Sequence, residues 1–154
     1  ITVYKDLINK NAKILPITDK RMTRFIITLE YGVKFVLESF KDSIGGEIFI
    51  PKLPSVKIVD IIEAMIGKNK HEVVGIRPGE KLHEIMIPKE EARNCIELKS
   101  KYIIEPAFSW WNKKEAKSLY TKYAKAVKEN FEYSSDKNTD WLSIKDIKSL
   151  LGHL

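Results

Sequence analysis

Two arginine-bearing segments offer the most chemistry in this sequence. In Arg77-Pro78-Gly79-Glu80 a guanidinium and a carboxylate stand three residues apart across a Pro-Gly turn. A planar guanidinium grips phosphate oxygens with two parallel hydrogen bonds, and a carboxylate accepts from sugar hydroxyls, so the pair suits a nucleoside diphosphate. The same residues equally describe a surface ion pair of little energetic consequence. The second segment, Thr18-Asp19-Lys20-Arg21-Met22-Thr23-Arg24-Phe25, runs from a short extended stretch toward a helix N-terminus. Backbone N–H groups and side-chain cations can face one anion there. Arg24 ranks above Lys20 and Arg21, which read as its solvated neighbours. His83 and Glu84 are an acid/base pair by residue type, although Leu82 and Ile85 beside them favour a structural role.

Other chemistries find little support. No Gly-x-Gly-x-x-Gly follows a strand-like run and no Gly-x-x-x-x-Gly-Lys occurs, so the sequence carries no recognisable nucleotide cradle. The three histidines, His71, His83 and His153, lack the spacing that sets two imidazoles on one helical face, and no metal site is expected. The single cysteine, Cys95, excludes an internal disulfide and fits a reducing compartment, the cytoplasm. A net charge of +6 invites nucleic acid, but the lysines are spread along the chain among 21 acidic residues. With neither a helix-turn-helix nor a zinc-finger spacing, no nucleic-acid partner is expected. The excess charge also suits a polyanionic small molecule. No membrane span is expected, because even the apolar run Ile58 to Ile66 is interrupted by Asp60 and Glu63.

The elements that must hold the two arginine segments follow from periodicity. Val3 to Lys10 reads as the end of a helix, and Ile14-Leu15-Pro16-Ile17 as an irregular or edge strand, since proline cannot donate to a ladder. Phe25, Leu29, Val33, Val36, Leu37 and Phe40 recur at steps of three and four, which predicts a helix from about Thr28 to Ser39 with its stripe in the core. Gly45-Gly46 turns the chain into a strand, Glu47 to Ile50. After Pro51 and Pro54, Ile58 to Ile66 is a second helix with a buried face, ended by Gly67. Short strands follow at Val73-Val74 and Tyr102 to Ile104, with an apolar segment at Ile85 to Ile87 and weak helical periodicity from Pro88 to Asn94.

Residues 108–130 differ in character and read as an insertion or a flap. Trp110 and Trp111, which suit a ligand cap, an oligomer contact or simple packing, precede a lysine-rich helix with Leu119, Tyr120, Tyr123, Ala124 and Val127 on one side. Tyr133 to Asn138 is polar and loop-like, and Ser143 with Asp146 resembles a cap for a closing helix bearing Ile147, Leu150 and Leu151. The 154 residues, 44% of them hydrophobic, suffice for one compact domain over 1–154. Strands alternating with helices say α/β or α+β, yet they are too few and short for a complete doubly wound sheet. The start at Ile1 reads as an internal one, so the chain is expected to be a piece of a longer protein.

Several blocks in order carry a family resemblance: Leu15 to Asp19 with Met22-Thr23-Arg24-Phe25, then Gly45 to Lys52, then Gly75-Ile76-Arg77-Pro78-Gly79-Glu80-Lys81-Leu82-His83-Glu84. Tyr133 to Asn138 followed by Trp141-Leu142-Ser143 adds a closing block. Together they resemble the inverting UDP-N-acetylglucosamine 4,6-dehydratases, the CapD-like polysaccharide-biosynthesis branch of the extended short-chain dehydrogenase/reductases. The match covers nearly the whole chain from Val3 onward, and the stretch near Trp110 to Asn130 is its least family-like part.

The resemblance implies an α/β C-terminal substrate-binding part, with the Rossmann half absent. In the family that N-terminal half binds NADP and carries the residues that move hydride and proton, so this chain alone is expected to be inactive. Residue by residue, the resemblance puts Arg24 and Arg77 on the pyrophosphate, Glu80 on the ribose hydroxyls, and Ile14 and Leu15 along the uracil. Asn138 and the Tyr133-Ser134-Ser135 loop, including Ser135, would close the site. A UDP-sugar, UDP-N-acetylglucosamine, is the implied partner, in a bacterial cytoplasmic enzyme that is a homo-oligomer when complete. Two rivals stand beside it: a related UDP-sugar epimerase or dehydratase, and a binding module without catalysis.

Overall fold

The structure, a computed structural model, describes residues 1–108 and 124–152. Where length favours one domain, the described residues gather into two compact units built from interleaved segments: Ile1–Ile26, Pro54–Glu84 and Ser135–Leu154 in unit 1, Ile27–Leu53 and Ile85–Ser134 in unit 2.

Unit 1 opens with α1 (Thr2–Asn9), whose left-handed exit at Asn11 (φ 62°) turns the chain into β1 (Leu15–Ile17). Strand β1 pairs in parallel with β5 (His71–Val73) over Leu15↔His71 to Ile17↔Val73. Proline is tolerated at its centre because β1 has a single strand neighbour among the described residues. Between them, β2 (Thr23–Phe25) pairs antiparallel with β4 (Ser55–Lys57), and β4 runs directly into α3 (Ile58–Ile66). Gly67, with φ +98°, ends that helix in a conformation few side chains adopt. Leu15, Ile17 and Ile62 form one core cluster under Tyr4, Leu7 and Ile66. Val56, Ile61 and Ile147 form another, where α3 meets the closing helix α4 (Ile144–Gly152). Helix α4 starts on the expected cap: Ser143 N donates to Asp146 Oδ2 (2.9 Å) and Asp146 N donates to Ser143 Oγ (3.2 Å).

Unit 2 contains α2 (Leu29–Asp42), capped by Thr28 Oγ1 accepting from Tyr31 N at 3.2 Å. Its sheet has the order β3 (Ile48–Pro51), β8 (Lys101–Ile104), β7 (Cys95–Glu97) and β9 (Lys125–Ala126), all antiparallel. Ile103 centres its core against Ile44, Phe49, Ile96 and Leu98. A separate antiparallel pair joins β6 (Ile85–Ile87) to β10 (Tyr133–Ser134), and Lys89–Asn94 forms a 3₁₀ helix after Pro88.

Three expectations change. The α2 stripe is not core: Leu29 is 85% and Phe40 82% exposed, with Val33, Val36 and Leu37 also exposed. Helical periodicity reports a face suited to burial without saying against what. The lysine-rich helix cannot continue through Val127, because Lys125–Ala126 is a strand on β7; its remainder, with Trp110 and Trp111, lies outside the described residues. The loop expected from Tyr133 begins instead as a strand, since Tyr133 and Ser134 complete a ladder with β6. No helix among the described residues is long and apolar enough to cross a membrane.

Candidate functional site

Because β1 and β5 are parallel, the chain leaves both at the same end, and the two exit segments meet. Thr18, next after β1, donates from Oγ1 to Glu80 Oε1 at 2.9 Å. Carboxyl ends of parallel strands are where α/β folds place ligands, since loops from neighbouring strands converge there. The Arg77-Pro78-Gly79-Glu80 segment is a tight turn: Glu80 N donates to the Arg77 carbonyl at 3.0 Å, and Gly79 has φ +80°. Proline presets the first central position and glycine supplies the left-handed second one. The second carboxylate oxygen of Glu80 accepts from Arg77 N at 3.3 Å. Each Glu80 oxygen thus takes one intramolecular bond, and a carboxylate has capacity for about four. The Arg77 side chain is exposed and makes no ion pair among the described residues.

Arg24, on β2, is held differently. Its Nη1 donates to the carbonyls of Thr23 (2.7 Å) and Leu82 (3.2 Å), its Nη2 to that of Lys81 (3.0 Å), and its Nε stands 3.3 Å from Glu84 Oε1. Three of its five N–H donors are hydrogen-bonded to carbonyls and Nε faces Glu84 in an ion pair, which leaves one Nη2 N–H uncommitted among the described residues. Arg24 therefore fastens the 81–84 segment to β2. Arg21 is paired with Asp19 through Nε–Oδ1 (3.0 Å) and Nη2–Oδ2 (2.8 Å), and that guanidinium holds the Asp19 carboxyl down to about 2.

A chain of hydroxyls lies beneath this surface. Thr23 Oγ1 is 2.8 Å from His83 Nδ1 and 2.6 Å from Ser135 Oγ, and Glu84 N donates to Ser135 Oγ at 3.0 Å. Thr23 and Ser135 are buried, at 3% and 0% exposure. Ser135 N also donates to the Glu84 carbonyl at 2.8 Å, so the 135 turn is fixed to the segment that Arg24 grips.

The site residues expected from sequence thus separate. Arg24, Arg77, Glu80 and Ser135 belong to one unit and to segments joined by hydrogen bonds. Ile14 is half exposed at the start of β1, but Leu15 is corrected: its side chain is fully buried with Ile17 and Ile62 and cannot line a ligand. Asn138 braces structure, donating from Nδ2 to Ser55 Oγ and to the Asp140 carbonyl, both at 3.0 Å. Tyr133 is a strut of unit 2, where its hydroxyl accepts from Leu53 N (2.7 Å) and donates to the Leu53 carbonyl (3.1 Å). Tyr133 and Lys137 do stand in Tyr-x-x-x-Lys spacing, but Tyr133 lies in a strand and its hydroxyl already both accepts and donates.

Sequence reasoning missed Thr18, Thr23 and Tyr4. Burial pushes the Tyr4 phenol up, the Glu80 charge adds to that, and the Arg24 charge opposes it, so α1 lends a neutral phenol to the same neighbourhood. The pairings of β1 with β5 and of β2 with β4 bring Thr18 and Thr23 there, and no local pattern announces that.

The alternating fold and this strand-end site define an α/β protein with a joined pair of strand-exit loops carrying Arg77 and Glu80. Residues 1–106 match the model of the family described as polysaccharide biosynthesis protein, and the chain belongs to that family. It is 46% identical, over 99% of its length, to a UDP-N-acetylglucosamine 4,6-dehydratase (inverting) of Campylobacter jejuni subsp. jejuni serotype O:2, of which it covers 46%. It is 32% identical, over 92% of its length, to a UDP-glucose 4-epimerase of Rickettsia conorii, of which it covers 42%. Among solved structures, that of Pen from Bacillus thuringiensis superposes with a TM-score of 0.77 at 27% identity, covering 99% of this chain and 44% of the other. The chain thus spans less than half the length of these relatives.

Proposed function

We propose that unit 1 binds the UDP group of a nucleotide sugar, as the substrate-binding part of an NADP-dependent UDP-N-acetylglucosamine 4,6-dehydratase that inverts C5. The observation that carries this reading is the joined pair of exit loops, which present the Arg77 guanidinium and a fixed Glu80 carboxylate at the ends of β1 and β5. Arg77 takes the pyrophosphate with a bidentate grip, Arg24 adds its remaining N–H, and Glu80 accepts from the ribose. Ile14 offers apolar surface to the base. The names of the dehydratase and epimerase relatives share UDP and differ in sugar and reaction. The residues gathered here suit the shared part.

The dehydratase reading is preferred to the epimerase because identity is 46% against 32%. Gly45 and Gly46 follow α2 and lead into β3, the reverse of the strand-to-helix order of a dinucleotide cradle. No contact with NADP is therefore assigned to this chain, and none of its residues is given a catalytic role. A cytoplasmic setting and a homo-oligomeric whole enzyme complete the proposal. Calorimetric titration with UDP tests it: binding that Arg77→Ala weakens is expected, and absence of binding, or binding indifferent to Arg77, overturns it.

A further inference from the structure

We propose that Thr23 and Ser135 are positioning residues that hold His83 as a neutral donor, with its proton on Nε2, for an oxygen of the bound nucleoside diphosphate. The inference rests on the UDP-binding reading above and adds to it a ligand-facing residue and the device that sets its protonation.

The backbone N–H of Glu84 can only donate, and it occupies one lone pair of Ser135 Oγ. Each hydroxyl has one hydrogen and can accept twice. Were Thr23 to accept from both Ser135 and His83, its own hydrogen would have no acceptor among the described residues, on a side chain with 3% exposure, which leaves two arrangements. In the first, Ser135 donates to Thr23, Thr23 donates to His83 Nδ1, and every hydrogen in the chain has an acceptor. In the second, His83 Nδ1–H donates to Thr23 and Thr23 donates to Ser135. The Ser135 hydrogen then has no acceptor among the described residues, on a side chain with 0% exposure. Stranding a buried donor is the costlier choice, so the first arrangement is selected. It requires an unprotonated Nδ1, hence a neutral ring carrying its hydrogen on Nε2.

The surroundings make that donor useful. His83 is partly exposed, and it lies one residue from Glu84, which pairs with Arg24, and three residues from Glu80. Nε2 has no hydrogen bond among the described residues. Two carboxylates lie on the segments around it, Asp19, paired with Arg21, and Glu84, paired with Arg24. A neutral imidazole N–H is suited to a phosphate oxygen already compensated by Arg77, since it adds a directional bond without adding charge.

The test is long-range proton–nitrogen correlation NMR of the imidazoles near neutral pH, with UDP as the probe. His83 is expected to show an unprotonated Nδ1 and a protonated Nε2. Thr23→Ser should keep that signature and Thr23→Val should relax it toward a mixture of tautomers. UDP should shift the Nε2 resonance, and His83→Leu should lower UDP affinity about tenfold. A wild-type ring with a protonated Nδ1, or a mixture like that of free histidine, overturns the proposal whether or not UDP binds. UDP that moves the Arg77 resonances but leaves His83 unmoved overturns it while the UDP-binding reading stands. UDP that moves neither overturns both.

Discussion

Thr18 Oγ1 donates to Glu80 Oε1 across 62 residues of sequence, and this one bond joins the loop leaving β1 to the loop leaving β5. The isosteric change Thr18→Val removes it while keeping the side chain's volume. Stability is expected to fall by about 0.5–1.5 kcal/mol, the usual net worth of such a bond. A freed Glu80 should also discriminate less well between UDP and its 2′,3′-dideoxy analogue. Calorimetry with both ligands checks this, and unchanged discrimination in Glu80→Gln would remove Glu80 from the ribose.

The two arginines should behave oppositely. Arg77 is exposed with an uncommitted guanidinium among the described residues, so Arg77→Ala should leave the melting temperature nearly unchanged. It should cost about 2–3 kcal/mol of UDP binding, roughly 30- to 150-fold. Arg24→Ala instead frees three carbonyls and Glu84, and should destabilise the fold by about 1–3 kcal/mol. Arg24→Lys should recover little, because an ammonium cannot span the same fork. Parallel denaturation curves and UDP titrations separate the two roles.

The contrast shows what the sequence alone could convey. The Arg77 turn was legible because proline and glycine fix its backbone locally, and α3 was legible because its apolar period, its length and Gly67 agree. The strands β2, β4, β7 and β10 were not, being two or three residues long and defined by partners such as Thr23↔Lys57. The hydroxyl chain from Ser135 through Thr23 to His83 was invisible for the same reason, since small polar residues 112 positions apart share no period. Leu15 shows the converse error, in which a family position next to a site proves to be core.

Stability should fall on the alkaline side. Burial pushes the Cys95 thiol up to about 11 and the Tyr102 phenol up to about 12. Both groups ionise at lower pH in the unfolded chain, near about 8.5 for a thiol and 10 for a phenol. The unfolded state therefore binds fewer protons as pH rises, so the stabilisation is complete below about 8.5 and is lost toward the folded values. Melting temperatures of wild type and Cys95→Ala from neutral pH to about 10.5 should converge as pH increases. Parallel curves would refute the buried-thiol account.

Exposure sets the expected cost of apolar substitutions. Ile62 has 0% exposure and joins β1 to α3, so Ile62→Ala should cost about 2–5 kcal/mol. Phe40, at 82% exposure on α2, should tolerate Phe40→Ser within about 0.5 kcal/mol. A larger loss at Phe40 would mean that the α2 face is covered in solution, and a matching change in the sedimentation coefficient would show that the cover is a second chain.

Tyr133 offers the sharpest separation of strut from site. Its ring packs on Tyr102 with centroids 5.1 Å apart, and its hydroxyl engages both the N–H and the carbonyl of Leu53, which is itself buried. Tyr133→Phe keeps the ring and removes the oxygen, leaving that N–H without its short bond. Losing that hydrogen bond costs about 0.5–1.5 kcal/mol, so the melting temperature should drop measurably. UDP affinity, measured well below the transition, should stay within about twofold of wild type, since about 0.4 kcal/mol is the limit of a strut's indirect effect at that level. A stable variant with weakened binding would reverse the assignment and return Tyr133 to the ligand.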